Sequence, residues 1–415
     1  MTNQIPSGEP PLGVLACPEP EDRPDLWPTT ARRTPDGELA LGGLTVSEIL
    51  ADAPSPVFVL DEADLRGRAA SWSAAMAEEF WSGYGLRGGE AFYAGKAFLT
   101  TQVARIVLQE GMGIDTASRV ELAVGLAGLE KVDGPEATTH ARRLGLHGNG
   151  KTPAEVTTAV RHRVGHLVID SPEEVDHAVA AVHELRRSGD FGADERARVM
   201  VRLTTGIHAG GHEYISTAHE DQKFGLSVST GAARRAIDAI VAADELELAG
   251  LHSHIGSQIL DMAGFREAVG VVLGLRHDIA VDTGHLCPEV DLGGGYGIAY
   301  TGADPVAPSP AQVARTLAEA VRETCERLGD EVPTVSIEPG RAVAGPTTVT
   351  LYTVTGLKRV ELGEGASRLY VSIDGGMSDN IRPALYEAAY TALVANRRPD
   401  PSAGLTRARV VGKHC

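Results

Sequence analysis

Glu90-Ala91-Phe92-Tyr93-Ala94-Gly95-Lys96 is a short apolar strand that ends on an amine. Taking an ammonium out of water is costly, so lysine at the carboxyl end of a buried strand is rarely there for packing alone. Outward from this stretch, similar runs recur at 112–114, 144–147, 166–170, 199–204, 248–254, 289–293 and 334–338. Helical candidates alternate with them at 101–110, 118–127, 153–162, 172–186, 231–243, 263–280 and 311–328. Ser118 with Glu121, and Ser171-Pro172-Glu173-Glu174, read as helix starts. Strand–helix alternation of this kind predicts an α/β chain closing as a (β/α)8 barrel, with an open doubly wound sheet as the alternative. In a barrel the strand ends meet on one face.

The texture changes after Arg341. Thr347 to Val354, Arg368 to Ile373 and Ala408 to Gly412 alternate with period two and have no helices between them. They predict antiparallel strands of a second, all-β domain, joined by Val57 to Leu60. The expected division is an irregular, Pro- and Glu-rich arm at 1–30, a barrel at 61–342, and a β domain from 31–60 and 343–415.

The chain has 415 residues, 43% hydrophobic and 23% charged, as in ordinary globular enzymes. Its net charge of −18 argues against nucleic acid or an anionic membrane as partner, while leaving room for a local basic pocket that takes a small anion. No run is long and apolar enough to span a bilayer, and Met1 to Pro11 lacks a signal-peptide pattern. Cys17, Cys287, Cys325 and Cys415 show neither metal-type nor paired spacing, so a reduced, cytoplasmic protein is expected.

Several strand ends carry reactive groups. Lys96 reads either as a solvated surface amine or as a nucleophile, and Asp115 either as a helix N-terminal acid or as its neighbour. His252 and His254 project from the same side of one strand. Metal binding together with His208 and His212 is the weaker reading, because no Cys or carboxylate stands at zinc spacing. His254 fits better as a ring that stacks on an aromatic cofactor, and His252 as structural. Gly293-Gly294-Gly295 follows a strand and suits either a turn or a backbone cradle for an anion. Glu338-Pro339-Gly340-Arg341 puts an acid and a cation where barrels often bind phosphate, and a carboxylate there can keep a pyridine nitrogen protonated. Gly145 to Thr152 formally matches the nucleotide P-loop, but no buried strand directly precedes its first glycine.

Taken together, these segments resemble the diaminopimelate decarboxylases, fold-type III pyridoxal phosphate enzymes, from about Trp27 to the end. The resemblance rests on Tyr93-Ala94-Gly95-Lys96, His147-Gly148-Asn149-Gly150-Lys151, His212-Glu213-Tyr214-Ile215, and Glu220 to Gly225. It continues in His252 to Gln258, Asp291 to Gly297, Glu338 to Arg341, Arg382-Pro383-Ala384-Leu385-Tyr386, and Gly412 to Cys415. It implies that Lys96 holds pyridoxal 5'-phosphate as a Schiff base beside Asp115, with His254 stacked on the ring. Ser257, Gly294, Gly295 and the backbone of Pro339, Gly340 and Arg341 would bind the phosphate region, and Glu338 the ring nitrogen. Arg341, Arg382 and Tyr386 would hold the distal carboxylate of meso-diaminopimelate, which loses CO2 to give L-lysine. Cys415 would donate the proton across a homodimer with shared active sites.

One departure stands against this resemblance. Family chains run on past that cysteine through a Glu-Ser-Gly-Asp stretch and a later tyrosine, whereas this sequence stops at Cys415, so its β domain is expected to be cut short. Two alternatives follow: a related decarboxylase acting on another amino acid, or a tail-less cofactor-binding protein of little activity.

Overall fold

Ile337 lies opposite Ala91, so the last of eight parallel strands pairs with the first and the sheet closes. The strands are Gly89–Ala94, Gly113–Thr116, Leu144–Leu146, His166–Ile169, Ala197–Thr204, Leu246–Ser253, Glu289–Asp291 and Thr334–Ile337. Closure excludes the open doubly wound sheet. The structure, a computed structural model, describes residues 17–207, 223–363, 366–400, 402, 406 and 408–414. Ile114, Leu144, Val199, Val201, Leu251, Val290 and Val335 are buried, as expected of parallel strands covered by helices.

Local chemistry sets the helices. Thr152 and Ser309 form capping boxes with Glu155 and Gln312, each followed by proline at the first helical position. Ser118 Oγ accepts the Glu121 N–H at 3.3 Å. Ser171 has Pro172 after it but makes no capping hydrogen bond to the first turn, and Glu174 turns inward. Glu62–Ala77 is a helix absent from the expected set; its buried stripe of Leu65, Ala69, Trp72 and Met76 is thinned by small residues.

Two features near the site differ from expectation. The first strand stops at Ala94, and a single 3-10 turn, Gly95–Ala97, carries Lys96 to an exposed position. The desolvation cost expected at that amine is therefore not incurred. The seventh strand stops at Asp291, which leaves the three glycines in the loop beyond it.

The described residues group into two compact units. One is Leu65–Ile298 with Ala307–Gly345, and the other holds the described residues of Met1–Asp64, Ala299–Val306 and Pro346–Cys415. The second unit is built mainly of strands. Val57–Leu60 pairs antiparallel with Thr348–Leu351, and Val354–Gly363 pairs antiparallel with Ala366–Ile373. Ala408–Val411 was expected to be antiparallel but runs parallel to Ala366–Ile373, with Leu369 opposite Ala408. Strand alternation reports which face is buried, not direction, so this sign was not readable. Leu39, Leu41, Val46 and Leu351 form this unit's core.

Candidate active site

Parallel strands deliver their carboxyl ends to one end of the barrel. Asp115, Arg202 and His252 lie within the last residues of the second, fifth and sixth strands; His147, His254 and Glu338 directly follow the third, sixth and eighth. His147 Nε2 stands 3.3 Å from Asp115 Oδ1 and 3.3 Å from Glu338 Oε1, and His252 Nε2 is 3.2 Å from the same Glu338 oxygen. The rings of His147 and His252 meet edge to face at 4.9 Å. Below them His166 Nδ1 lies 3.4 Å from Asp291 Oδ2. Despite these short distances, Asp115 Oδ1, Glu338 Oε1 and both ring nitrogens of His252 lack aligned hydrogen bonds among the described residues, though buried.

Three loops meet backbone to backbone beside this cluster. A Cβ on Gly294 would lie 2.2 Å from the Glu338 carbonyl oxygen, and one on Gly295 would lie 2.3 Å from the Gly256 oxygen. Only glycine allows that approach, so the loops after the sixth, seventh and eighth strands converge. The Gly294 N–H donates to His254 Nδ1 at 3.1 Å, and the Glu338 N–H donates to the Gly293 carbonyl at 2.9 Å. Neutral His254 therefore carries its proton on Nε2. Arg341 donates to Ser257 Oγ at 3.0 Å and to Gln258 Oε1 at 3.4 Å, tying the eighth loop to the sixth. Ala94 N–H donates to the Pro339 carbonyl at 3.4 Å, and Gly340 fits closely against Ala94.

The electrostatics follow from burial. Desolvation, then the charge of Glu338, holds the Asp115 carboxyl well above its usual range, against the pull of the Lys96 ammonium. Glu338 is likewise raised by burial, opposed first by Lys96 and then by Arg202. Burial pushes His147 and His254 well below the ordinary imidazole value and takes His252 down to about 3. At His166 burial is outweighed by Asp291, Glu289 and Glu90, so its pKa rises. The site thus holds three imidazoles driven towards neutrality, His147, His252 and His254, among acids that keep protons unusually long, with one exposed ammonium acting on those acids.

The structure therefore brings Lys96, Asp115, His254, Gly294, Gly295, Glu338, Pro339, Gly340, Ser257 and Arg341 to one end of the barrel. Arg382 and Tyr386 belong to the other unit, on the short helix Arg382–Tyr386, where the Arg382 guanidinium lies over the Tyr386 ring at 5.4 Å. Cys415, His208 and His212 lie outside the described residues. Metal was set aside on sequence spacing, yet folding does gather His147, His252 and Glu338 with donor atoms within 4.8 Å of one another. His147, His166 and Asp291 form a second such group, and in the first the closest approaches are 3.2–3.3 Å.

Sequence reading passed over Arg202 and gave no role to His147, His166 or Asp291. Arg202 is buried, with its guanidinium over the Phe224 ring at 4.5 Å and its Nε 3.8 Å from Asp170. Its signal was present: a charge inside the apolar run Val199 to Thr204 is costly unless it has work to do. The P-loop-like lysine is otherwise engaged. Lys151 Nζ is buried, 2.8 Å from Glu174 Oε2, and donates to the Gly148 carbonyl at 2.6 Å.

The closed parallel barrel that carries this amine and this buried carboxyl matches the pyridoxal-dependent decarboxylases. The model of that family, described as the pyridoxal-dependent decarboxylase pyridoxal binding domain, matches residues 64–345. Diaminopimelate decarboxylase of Mycobacterium tuberculosis is 42% identical over 399 residues, covering 94% of this chain and 82% of that protein. The Bacillus subtilis diaminopimelate decarboxylase is 36% identical over 368 residues, 89% of this chain and 77% of its own. The crystal structure of diaminopimelate decarboxylase from M. jannaschii in complex with L-lysine superposes with a TM-score of 0.75 at 26% identity, covering 88% of this chain and 77% of that one. The chain belongs to the diaminopimelate decarboxylase family.

Proposed function

We propose that this protein decarboxylates meso-2,6-diaminopimelate to L-lysine and CO2 with pyridoxal 5'-phosphate as cofactor. The observation that carries the reading is the buried Glu338 carboxyl, whose Oε1 has no aligned partner among the described residues and which feels the Lys96 ammonium as its largest opposing charge. An acid so placed fits a ring nitrogen, and the Gly294–Gly295 backbone, which admits no side chain, fits a phosphate. When bound, the pyridoxal ring accepts the electron pair left behind as the carboxylate departs as CO2.

On this reading Lys96 would hold the cofactor and Glu338 would keep a proton at its ring nitrogen. His147, itself against Asp115, and His252 confine Glu338, and neutral His254 would cover one ring face. Ser257, Gly294, Gly295, Pro339, Gly340 and Arg341 bind the phosphate region. For the distal carboxylate of the substrate we assign Arg341, Arg382 and Tyr386, since guanidinium grips carboxylate bidentately. An acid would be needed there for a diamine product.

We assign proton donation to Cys415 in a cytoplasmic homodimer with shared sites. Exposed apolar side chains on the strand-rich unit support association: Val354, Leu357 and Val410 lie on one three-stranded sheet, with Leu385 nearby in sequence to the assigned Tyr386. Among the described residues no helix is long and apolar enough to cross a membrane, and Cys287 and Cys325 are buried as free thiols.

The test is direct. Protein loaded with pyridoxal phosphate should release CO2 and L-lysine from meso-diaminopimelate, and borohydride should fix the cofactor on the peptide that holds Lys96. Covalent labelling that persists in Lys96→Ala, or preferential turnover of ornithine or arginine, would overturn the reading. Mixing inactive Lys96→Ala with inactive Cys415→Ala should restore roughly a quarter of wild-type activity if sites are shared across a two-fold dimer. No recovery on mixing would reject the shared site.

A further inference from the structure

The amino ends of the barrel strands hold a second cluster of charged groups, at the opposite end from the residues above. A cavity of about 240 Å³ lies there, lined by Arg142, Arg163, Arg196 and Arg198 together with Glu195 and Glu247. Arg142 and Arg163 precede the third and fourth strands, Arg196 and Arg198 bracket the start of the fifth, and Glu247 opens the sixth. Arg198 is four residues from Arg202 along one strand, about 13 Å at the usual rise.

Two of the four guanidinia are already engaged. Arg163 is held by both oxygens of Glu195 and lies over the Phe191 ring at 4.6 Å. Arg198 donates to Glu247 at 2.8 Å and also to Glu289. Arg142 and Arg196 make no side-chain hydrogen bond or ion pair among the described residues. Four guanidinia and two carboxylates therefore line one small cavity, with Glu289 behind Arg198 as a third acid, in a chain whose net charge is −18. Arg142 is exposed at the rim; partial desolvation and then repulsion from Arg198 lower its pKa, against the pull of Glu247 and Glu289.

The same cavity has an apolar wall of Ala159, Val160, Val164, Leu167 and Phe191. Its volume is below the usual range for drug-sized ligands, roughly 300–1,000 Å³. A compact ligand with two negative charges matches both size and charge, because each unpaired guanidinium can present a two-pronged donor.

We infer that the amino-terminal end of this barrel, at Arg142 and Arg196, binds a compact dianion of phosphate or dicarboxylate chemistry, at a site separate from the cofactor and substrate. A ligand that binds only the folded barrel stabilises it by mass action, so occupancy would tie stability to anion concentration without touching the reacting groups.

The test uses cofactor-loaded protein, so that the phosphate region of the cofactor is filled, with inorganic phosphate and succinate as probes in separate low-salt titration calorimetry experiments. The expected result is saturable binding of at least one probe, near one per chain, weakened by about tenfold or more in the double variant Arg142→Ala/Arg196→Ala. The preferred probe identifies the chemistry. Arg142→Gln/Arg196→Gln serves if the alanine variant does not fold, and unchanged cofactor absorbance and turnover verify that the catalytic end is intact. Arg382→Ala controls for anions at the substrate-carboxylate position. No saturable binding of either probe, equal binding in the double variant, or loss only in Arg382→Ala would overturn the inference.

Discussion

His252 places its Nε2 3.2 Å from Oε1 of Glu338, with both side chains buried. Burial drives the imidazole towards neutrality and the carboxyl towards protonation, so neither can serve as a simple counter-charge for the other. What they share is a position: the ring limits where the carboxyl can lie, and His147 limits it from another side at 3.3 Å. An acid confined in this way presents one oxygen along a set direction, which a protonated ring nitrogen requires.

Glu338→Gln keeps the shape of this side chain and removes its ability to hold a full negative charge. The cofactor should still load, as followed by absorbance, while kcat falls on the order of 10²–10⁴-fold, the scale of a positioned proton-transfer group. Near-wild-type kcat in the loaded variant would remove Glu338 from the chemistry.

His252 makes stability dependent on pH. Its pKa falls from 6.5 in the unfolded chain to about 3 when folded, through burial first, with the nearby charges of Asp291, Arg202, His166 and Lys96 acting in both directions. The unfolded imidazole therefore binds a proton that the folded one refuses. Its contribution is fully present above pH 6.5 and is lost as pH falls towards 3, at about 1.4 kcal/mol per pH unit. Urea titrations of His252→Gln between pH 6 and 4 should show a shallower loss of stability with acid, by roughly one proton's slope. An unchanged slope would show that His252 is protonated in the folded state.

Gly294→Ala would set a methyl 2.2 Å from the Glu338 carbonyl oxygen. Backbone cannot swing aside as a flexible side chain can, so the loop must shift, at a cost of about 1–3 kcal/mol. Thermal denaturation of the cofactor-free protein should register the loss, and cofactor affinity should fall with it. A variant with wild-type melting and loading would mean that the two loops are not held together.

Lys151 and Glu174 form a buried pair at 2.8 Å, and Glu174 also accepts the N–H groups of Lys151 and Asp170. Lys151→Met should strand the carboxylate and cost about 3–5 kcal/mol in urea unfolding. The double variant Lys151→Met/Glu174→Leu should recover part of this, since removing both charges is milder than orphaning one. If Lys151→Met is neutral and instead abolishes binding of a nucleotide, the P-loop reading returns.

Much of the barrel was legible because its signals are local. Pro153, Pro172 and Pro310 begin helices at or within one residue of the expected places, and the eight apolar runs became the eight strands, with no end moved by more than two residues. Lys96 was placed at the end of the right strand with its exposure left open between a solvated amine and a nucleophile, and the Gly95–Ala97 turn, packed against Gly340, sets it as exposed. Arg202 was missed because its partners, Asp170 and Phe224, come from other segments.

Residue order alone determined the alternation of strands and helices, the helix caps, and which strand ends carry an amine, imidazoles, glycines and an acid. These depend on propensity and spacing over a few residues, and each is carried by its own segment. Tertiary structure decided that the sheet closes, that Ala408–Val411 runs parallel to its neighbour, and that His147 and His252 converge on Glu338. It also decided that four arginines at the starts of three neighbouring strands line one cavity at the far end. Closure, direction and burial arise from contacts between distant segments, and desolvation sets the protonation of these groups only after those contacts form.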